Sequence, residues 1–412
     1  MKQSKYYPWI LVGLLWGVAL LNYMDRQMLS TMKPSMMIDI GELQTATNFG
    51  RLMAIFLWIY GFMSPVAGMI ADRINRKWLI VGSLFVWSAV TLAMGYATTF
   101  DQLYWLRAVM GISEALYIPA GLALIADYHS SKTRSLAIGI HMTGLYMGQA
   151  LGGFGATIAA TISWQSAFHS FGIIGIVYSL VLILFLRAKN PATEMKDIDR
   201  MAGNKQPLFK GLGLLLSNIS FWLILFYFTV PGIPGWGIKN WLPTLFAENL
   251  NIDMSKAGPL STITIAASSL LGVIFGGILS DRWVQKNLKG RIYTSAIGLA
   301  LTIPALLLIG YGHSLFNVIG AAFLFGFGFG MFDANNMPIL CQFVSSRYRA
   351  TAYGLMNMTG VFAGAFITDL LGRSTDAGNL GKSFSMLAGI VLAALIIQLL
   401  FLRPKANDFD DK

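Results

Sequence analysis

Long apolar runs separated by short polar segments follow one another along almost the whole chain. Most of them reach about 18 residues or more, which is the length a helix needs to cross the apolar part of a bilayer. Backbone polar groups cannot stay unpaired in lipid, so these runs are predicted to be helices. The twelve predicted spans are 7–30, 51–71, 77–97, 102–126, 135–160, 165–186, 212–245, 257–280, 292–311, 315–344, 351–372 and 383–402.

One long polar stretch interrupts this pattern between the sixth and seventh spans, where lysines, arginines and acidic residues alternate. It divides the predicted helices into two sets of six. We predict an N-terminal six-helix half over 1–187, a linker over 188–210, a C-terminal six-helix half over 211–403 and a tail over 404–412.

The two halves carry related sequences. The segment Gly68-Met-Ile-Ala-Asp72-Arg73 recurs 209 positions later as Gly277-Ile-Leu-Ser-Asp281-Arg282. A second echo joins Ser130–Gly139 to Ser345–Gly354, and each copy continues to a Met-Thr-Gly sequence. Parallel repeats of this kind predict a cavity between the halves, near mid-membrane, that opens alternately to either side.

Composition narrows the class of protein further. Apolar residues make up 55% of the chain and charged residues 12%, whereas a globular protein has about 25% charged residues. Mean hydropathy is +0.61. A soluble enzyme, a secreted disulfide scaffold and a disordered chain are excluded, which leaves a polytopic membrane protein.

The net charge of +11 reflects membrane topology and not a nucleic-acid partner. With the N-terminus inside, 22 basic residues fall on inside segments and five fall on outside loops. Basic residues concentrate on the cytoplasmic side of membrane proteins. We therefore predict a multi-pass protein of the bacterial inner membrane with both termini and the linker in the cytoplasm.

Three motifs resemble those of the major facilitator superfamily, and the span pattern extends that resemblance over the whole chain. The motifs are Gly68-x-x-x-Asp72-Arg73-x-x-Arg76-Lys77, Arg107-x-x-x-Gly111-x-x-x-Ala115 and Gly144-x-x-x-Gly148-Gln149-x-x-Gly152-Gly153. The family usually has proline at the position of Gln149, so the third motif does not indicate a transport direction. The resemblance implies an all-α fold of two pseudo-symmetric halves that performs secondary transport.

The loop motif implies a conformational lock. An aspartate at a helix end can meet the positive N-terminal end of a neighbouring helix, and the adjacent basic residues can bridge to carboxylates across the interface. In the family this set locks one state, and the alternative is that it only anchors topology. The residues assigned to the lock are Gly68, Asp72, Arg73 and Arg76, with the repeat mates Asp281 and Arg282.

Two subfamilies share further residues with this chain. Asn22-Tyr23-Met24-Asp25-Arg26 and Trp241-Leu242-Pro243-Thr244 resemble the anion:cation symporter family, which transports sugar acids and other organic anions. The segments Asn22–Arg26, Asn75-Arg76-Lys77 and Leu124–Asp127 also resemble spinster-type lipid transporters. A lysolipid transporter and a non-transporting membrane sensor therefore remain as alternatives.

Six charged residues lie well inside predicted spans, where each costs about 2.5–3.5 kcal/mol on insertion scales. They are Asp25, Arg26, Arg107, Glu114, Lys239 and Asp333, three acidic and three basic. Arg26 offers a planar fork of donors that fits a carboxylate, and Asp25 is expected to neutralise it when the site is empty. The resemblance implies that Arg26 holds the substrate and Asp25 accepts a proton; a permanent structural pair is the alternative.

Arg107 and Glu114 are two helical turns apart and so face the same side of span four. Glu114 follows a glycine, where close helix packing makes a dry environment that favours a protonated carboxyl. Glu114 is predicted as a proton site, as the family pattern implies, with Arg107 modulating it. A static pair is the alternative.

Other polar residues complete the predicted substrate site. Two prolines and three glycines interrupt span seven just before Lys239, and broken helices commonly line a transport site. Lys239 would take a second anionic group or extend to the outer rim. Packing roles remain open for each of the others, which are Tyr60, Tyr117, His141, Gln149, Asp333 and Asn357.

These observations predict a proton-coupled symporter that imports an organic anion, of hexuronate, aldonate or sialic-acid type. The partners would be the bilayer and a small anionic substrate, and the protein is expected to be a monomer. No cofactor is expected beyond the proton gradient, with Na⁺ left open as the coupling ion. The four histidines lack metal-ligand spacing, so neither a metal site nor an enzyme is predicted.

Overall fold

A computed structural model of the protein describes residues 6–71, 74–130, 133–187, 213, 215–344 and 349–403. The principal helices are α1 (Tyr7–Asp39), α2 (Ala46–Ala71), α3 (Arg76–Met94), α4 (Phe100–Ala115), α5 (Tyr117–Tyr128), α6 (Arg134–Gly152), α7 (Gly155–Thr161), α8 (Trp164–Phe185), α9 (Ile219–Leu250), α10 (Met254–Val284), α11 (Gly290–Tyr311), α12 (Leu315–Asp333), α13 (Asn336–Phe343), α14 (Arg349–Asp376) and α15 (Leu380–Phe401). A short 3-10 turn, Gly41–Gln44, precedes α2.

Within the described ranges, eleven helical segments are long and apolar enough to cross a membrane. The predicted fifth span, 135–160, is outside this set; it falls on α6 and α7, which are separated at Gly153 and Phe154. The prediction of an all-helical, multi-pass membrane fold is confirmed. Some helices extend past their apolar runs: α1 continues to Asp39 and α2 begins at Ala46, because backbone hydrogen bonding continues where the side chains become polar.

Two spans are broken at corresponding places by proline. α4 ends at Ala115 before α5, which contains Pro119, and α12 ends at Asp333 before α13, which contains Pro338. A proline lacks the N–H and its ring clashes with the carbonyl four residues earlier, which disrupts a helix at that point. The two prolines are 219 positions apart. The break is therefore a structural feature of the repeat.

The chain divides into two compact units. The first comprises Met1–Gln44 and Ile55–Lys205, and the second comprises Thr45–Ala54 and Gln206–Lys412. The predicted linker, 188–210, and tail, 404–412, lie outside the described residues.

Helix packing follows the same scheme in each unit. In the first unit α1 packs on α6 and α3 packs on α8; in the second unit α9 packs on α14 and α11 packs on α15. When the spans are numbered within each unit, both units pair the first span with the fifth and the third span with the sixth. The internal duplication that the sequence indicates is therefore present in the packing.

Glycines on one face of α6 allow α1 to approach closely. A Cβ built at Gly144 would lie 2.7 Å from the carbonyl oxygen of Trp16, and one at Gly148 would overlap the carbonyl oxygen of Leu20. Small residues spaced by four promote such backbone contact between membrane helices. The contact fixes the rotation of α1, which positions the charged residues of that helix.

We expect Gly148→Ala to destabilise the protein by about 1–3 kcal/mol, because the new methyl group cannot fit between α6 and α1. Gly139→Ala is the matched control, since a Cβ at Gly139 on the same helix meets nothing within 4 Å. Thermal unfolding in detergent, followed by size-exclusion chromatography, measures both variants. Equal midpoints for the two would contradict the packing described here.

Candidate functional site

An ion pair between α1 and α4 lies at the centre of the candidate site in the first unit. The Arg26 Nε donates to the Glu114 Oε2 at 2.5 Å, and the Asn22 Nδ2 donates to the same oxygen at 3.0 Å. The Glu114 side chain is fully buried, whereas the Arg26 side chain is 14% exposed. The carboxylate is therefore closed to solvent, whereas the arginine side chain is partly accessible.

Aromatic rings surround the Arg26 guanidinium. Its Cζ lies 4.7 Å from the ring centroid of Tyr60, 4.8 Å from that of Phe56 and 5.1 Å from that of Tyr23. Each such cation–π contact contributes about 0.5–2 kcal/mol, more where water is excluded. The rings hold the guanidinium in place while leaving part of its hydrogen-bonding edge unused.

Several buried polar atoms around this pair have no hydrogen-bond partner among the described residues. They are Arg26 Nη2, Glu114 Oε1, Asn22 Oδ1, Asp25 Oδ1 and Arg107 Nε. Buried polar atoms are nearly always paired in folded proteins, and a group of exceptions indicates a place where water or a ligand binds. Both donors and acceptors are present, so the site suits a ligand that can both accept and donate.

The partners of Asp25 and Arg107 differ from our expectations. Asp25 does not neutralise Arg26, since adjacent residues on a helix point in different directions; its Oδ2 lies 3.4 Å from the Thr91 hydroxyl on α3. Arg107 forms no described salt bridge with Glu114. Its guanidinium lies 4.5 Å from the Phe56 ring centroid and its Nη1 is 3.0 Å from the Met110 sulfur. All four charges still interact electrostatically within this unit.

The second unit contains a comparable acid–base arrangement. Asp333 ends α12 five residues before Pro338, as Glu114 precedes Pro119 in the first unit. The Asn336 Nδ2 donates to the Asp333 Oδ1 at 3.1 Å, and Asp333 interacts electrostatically with Lys239. Lys239 lies on α9, the counterpart of α1, and its Nζ is 5.1 Å from the Trp236 ring centroid. In each unit, therefore, a basic residue on the first helix interacts with an acidic residue next to a helix break at a proline.

A repeated sequence pattern, which the predictions missed, accompanies this correspondence. Gly111-x-x-Glu114-x-x-x-x-Pro119 recurs as Gly330-x-x-Asp333-x-x-x-x-Pro338, a third echo at an offset of 219. The glycine permits close packing: a Cβ at Gly111 would lie 2.7 Å from the carbonyl oxygen of Phe56 on α2. This echo indicates that Glu114 and Asp333 occupy equivalent positions.

Two predicted substrate contacts form a separate buried pair. Tyr117 and His141 are fully buried. The Tyr117 hydroxyl donates to the Leu15 carbonyl at 2.8 Å and lies 2.7 Å from the His141 Nε2. This arrangement ties α5 and α6 to α1. Of the remaining predicted contacts, Gln149 is buried on α6, and Asn357 is half-buried on α14.

The residues of the predicted lock are only partly described. Asp72 and Arg73 lie outside the described residues. The Arg76 Nη1 forms an ion pair with the Asp127 Oδ2 inside the first unit, and not across an interface as expected. Gly68 has open space where a Cβ would stand. In the second unit the Asp281 Oδ1 lies 3.5 Å from the Arg291 Nη2, and Arg282 is exposed.

Comparison with known proteins decides the family. The model of the Major Facilitator Superfamily matches residues 15–368 of the chain. The chain belongs to the Major Facilitator Superfamily. Its relatives and its fold are those of transporters. The prediction that this chain is not an enzyme is confirmed.

Three known proteins are similar to this transporter over nearly its whole length. The hexuronate transporter of Escherichia coli (strain K12) is 25% identical over 420 residues, which cover 96% of this chain and 94% of that protein. The probable L-galactonate transporter of the same organism is 23% identical over 408 residues, with 96% and 89% covered. A crystal structure of a bacterial homologue of the human lysosomal transporter Spinster superposes with a TM-score of 0.81, at 19% identity and 99% coverage of both chains; it shows the fold.

The Arg26–Glu114 pair predicts strong energetic coupling in this transporter. Removing one partner leaves an uncompensated buried charge, which typically costs about 3–5 kcal/mol, so Glu114→Leu alone should be poorly stable. We expect the double variant Arg26→Met/Glu114→Leu to be more stable than the sum of the single effects, with an interaction energy of about 1–3 kcal/mol. Thermal unfolding of the four proteins of the cycle measures it. Additive effects would show that the two side chains do not form a pair in the membrane.

Proposed function

We propose that this transporter imports an organic anion together with protons, by alternating access, and that the anion is a sugar acid of hexuronate, aldonate or sialic-acid type. The relatives that match nearly the whole chain include a hexuronate transporter and a probable L-galactonate transporter. Hexuronates and L-galactonate are both carboxylated sugars. We also propose the bacterial inner membrane as its location, with both termini in the cytoplasm, as the distribution of basic residues favours.

The observation that carries this proposal is the incompletely paired guanidinium of Arg26, whose side chain is 14% exposed. Its Nε is bound by Glu114, while its buried Nη2 has no described partner. A carboxylate that binds an arginine uses two adjacent N–H groups. The substrate carboxylate would occupy the free edge, and the rings of Tyr23, Phe56 and Tyr60 would hold the guanidinium in position for it.

Charge balance supplies the coupling. Asp25, Glu114, Arg26 and Arg107 sum to zero when all are ionised, so an incoming anion adds an uncompensated negative charge to a site of low dielectric. Protonation of Glu114 or Asp25 removes that excess. Protonation of Glu114 would also weaken its hold on Arg26, which frees donors for the substrate. Anion and proton therefore favour each other's binding.

We also propose a role in substrate recognition for Lys239 and Asp333 of the second unit. Asp333 is exposed although it lies within a span, and Asn336 holds one of its oxygens. A carboxylate beside an amide and a lysine suits hydroxyl groups, which both donate and accept hydrogen bonds. In this proposal Lys239 and Asp333 orient a polyhydroxylated chain.

We expect Arg26→Ala to reduce uptake of labelled glucuronate or galactonate into proteoliposomes by at least about a hundredfold, since loss of a charged hydrogen-bonding partner costs about 1.5–3 kcal/mol or more for each bond. Arg403→Ala is the control, because Arg403 is exposed beyond the last helix. Undiminished uptake by the Arg26 variant would overturn its assignment. Transport of a lysolipid but of neither sugar acid would favour the alternative of a lysolipid transporter.

We expect Glu114→Gln and Asp25→Asn to separate transport from the proton gradient. For each proton carried, one pH unit supports about tenfold accumulation, since it supplies about 1.4 kcal/mol. The neutral variants should exchange labelled for unlabelled substrate but fail to accumulate it when the outside is made acidic. Asp101→Asn, at an exposed position in the first turn of the same helix as Glu114, should accumulate substrate normally. Wild-type accumulation by both buried variants would exclude them as proton sites.

A further inference from the structure

A second group of polar side chains is buried inside the first unit, on α1, α3, α5 and α6. The Asp25 Oδ2 lies 3.4 Å from the Thr91 hydroxyl, which donates to the Trp87 carbonyl at 3.0 Å. The Trp87 ring meets the Tyr117 ring edge to face, with centroids 5.8 Å apart, and the Tyr117 hydroxyl lies 2.7 Å from the His141 Nε2. All five residues are at most 4% exposed. The group leads from Asp25 through the interior of the unit to His141, and we call it the buried polar path.

Three members of the path each have a buried polar atom with no hydrogen-bond partner among the described residues. These atoms are Asp25 Oδ1, Trp87 Nε1 and His141 Nδ1. Unpaired buried groups are rare in folded proteins, and a buried water typically makes about three hydrogen bonds to such groups. An indole N–H donates and a carboxylate accepts, so a water molecule can join them. The unpaired atoms therefore indicate that water links the side chains of the path.

Tyr117 determines which nitrogen of His141 is free. Its hydroxyl has one hydrogen, which it donates to the Leu15 carbonyl at 2.8 Å. The hydroxyl oxygen then accepts from His141, so the proton of the neutral imidazole is on Nε2. The hydrogen bond made by one ring nitrogen sets the state of the other. The His141 Nδ1 is therefore a base without a proton, buried inside the unit.

The two ends of the path lie at different depths. Leu15, which accepts from Tyr117, precedes Asp25 by ten residues on α1. At a rise of about 1.5 Å per residue, this separation is about 15 Å along the helix. His141 is seven residues from the start of α6, and spans one and five run in the same direction. The path therefore extends from Asp25 towards the side that we propose to be cytoplasmic.

We propose that the buried polar path carries a proton from Asp25 to the cytoplasmic side, with His141 as a proton acceptor on the way and Tyr117 as a positioning residue. The inference rests on the proton coupling proposed above. Asp25 releases its proton to a bound water and becomes a carboxylate; the His141 Nδ1 takes one proton from water and returns one to the next water, so the imidazole ends neutral. Burial disfavours the imidazolium, so His141 passes the proton on and does not store it. The charges that act on Asp25 are those of Arg107 and Glu114, which link release of this proton to the substrate site.

The first test compares two tyrosines that each donate to a carbonyl of α1. Tyr117 donates to Leu15, whereas Tyr178 on α8 donates to Leu14 at 2.8 Å and has no described hydrogen bond to a histidine. In proteoliposomes, Tyr117→Phe should slow sugar-acid accumulation driven by an acidic exterior by about tenfold or more, because a positioned proton acceptor typically contributes about 10²–10⁴-fold. Exchange of labelled for unlabelled substrate requires no proton release and should be unchanged. Tyr178→Phe should keep both rates.

His141→Gln is the second variant, and it decides the test if Tyr117→Phe does not fold. Glutamine can still donate to the Tyr117 hydroxyl but cannot take up a proton, so accumulation should slow while exchange continues. Accumulation at the parent's rate in both variants would overturn the path. A parallel loss of exchange would show that the pair only holds α1 in place, and would overturn the path as well. A parent that accumulates no sugar acid under the pH gradient would contradict the proposed function instead.

A second measurement needs no transport. Nitrogen-15 NMR of protein labelled at histidine should show His141 protonated at Nε2 and not at Nδ1, in a signal that His141→Gln removes. In Tyr117→Phe a form protonated at Nδ1 should appear, because the hydrogen bond that fixes the tautomer is lost. A parent protonated at Nδ1 would overturn the path even if Arg26-dependent uptake were found. The expected spectra in a protein that accumulates no sugar acid would support the geometry of the path and remove the proposed substrate.

Discussion

The Arg26–Glu114 pair places two charges inside predicted membrane spans, with the Glu114 side chain fully buried, and the neighbouring side chains offset the cost of that burial. A single buried charge there would be severely unfavourable, whereas a hydrogen-bonded pair is tolerated. Asn22 supplies a further donor to the carboxylate, and three aromatic rings surround the guanidinium. The pair also fixes α1 against α4. In the proposed function, an anionic ligand and a proton are the two agents that change the charge balance around this pair.

The duplicated architecture gives this chemistry a counterpart in the second unit, but with different residues. Glutamate becomes aspartate, and the arginine of the first helix becomes the lysine of the seventh span. A guanidinium binds a carboxylate through a rigid fork, whereas an ammonium is a compact charge that accepts many geometries. The two units therefore differ in the geometry of the anionic groups that their basic residues can bind. The proline beside each acid cannot donate a backbone hydrogen bond, which accounts for the break in each helix.

The first turn of α2 is capped by a residue from a distant part of the chain. The carboxylate of Asp376, at the end of α14, accepts from the backbone N–H groups of Ala46 and Thr47 beside a close glycine contact. The family motif assigns an aspartate to the other end of the same helix, beside Arg76, which pairs with Asp127 in this structure.

The sequence by itself determined the helices, their duplication and the identity of the intramembrane charges, because lipid imposes long apolar segments and makes each exception conspicuous. It also contained the Gly-x-x-acid-x-x-x-x-Pro echo that equates Glu114 with Asp333. Only the tertiary structure decided which charges meet. Glu114 and not Asp25 neutralises Arg26, because the rotation of α1 is set by its glycine contacts with α6 and adjacent residues point apart. The cap that Asp376 provides for the first turn of α2 could not be predicted either, because the acceptor is 330 positions from its donor and local sequence patterns do not connect the two.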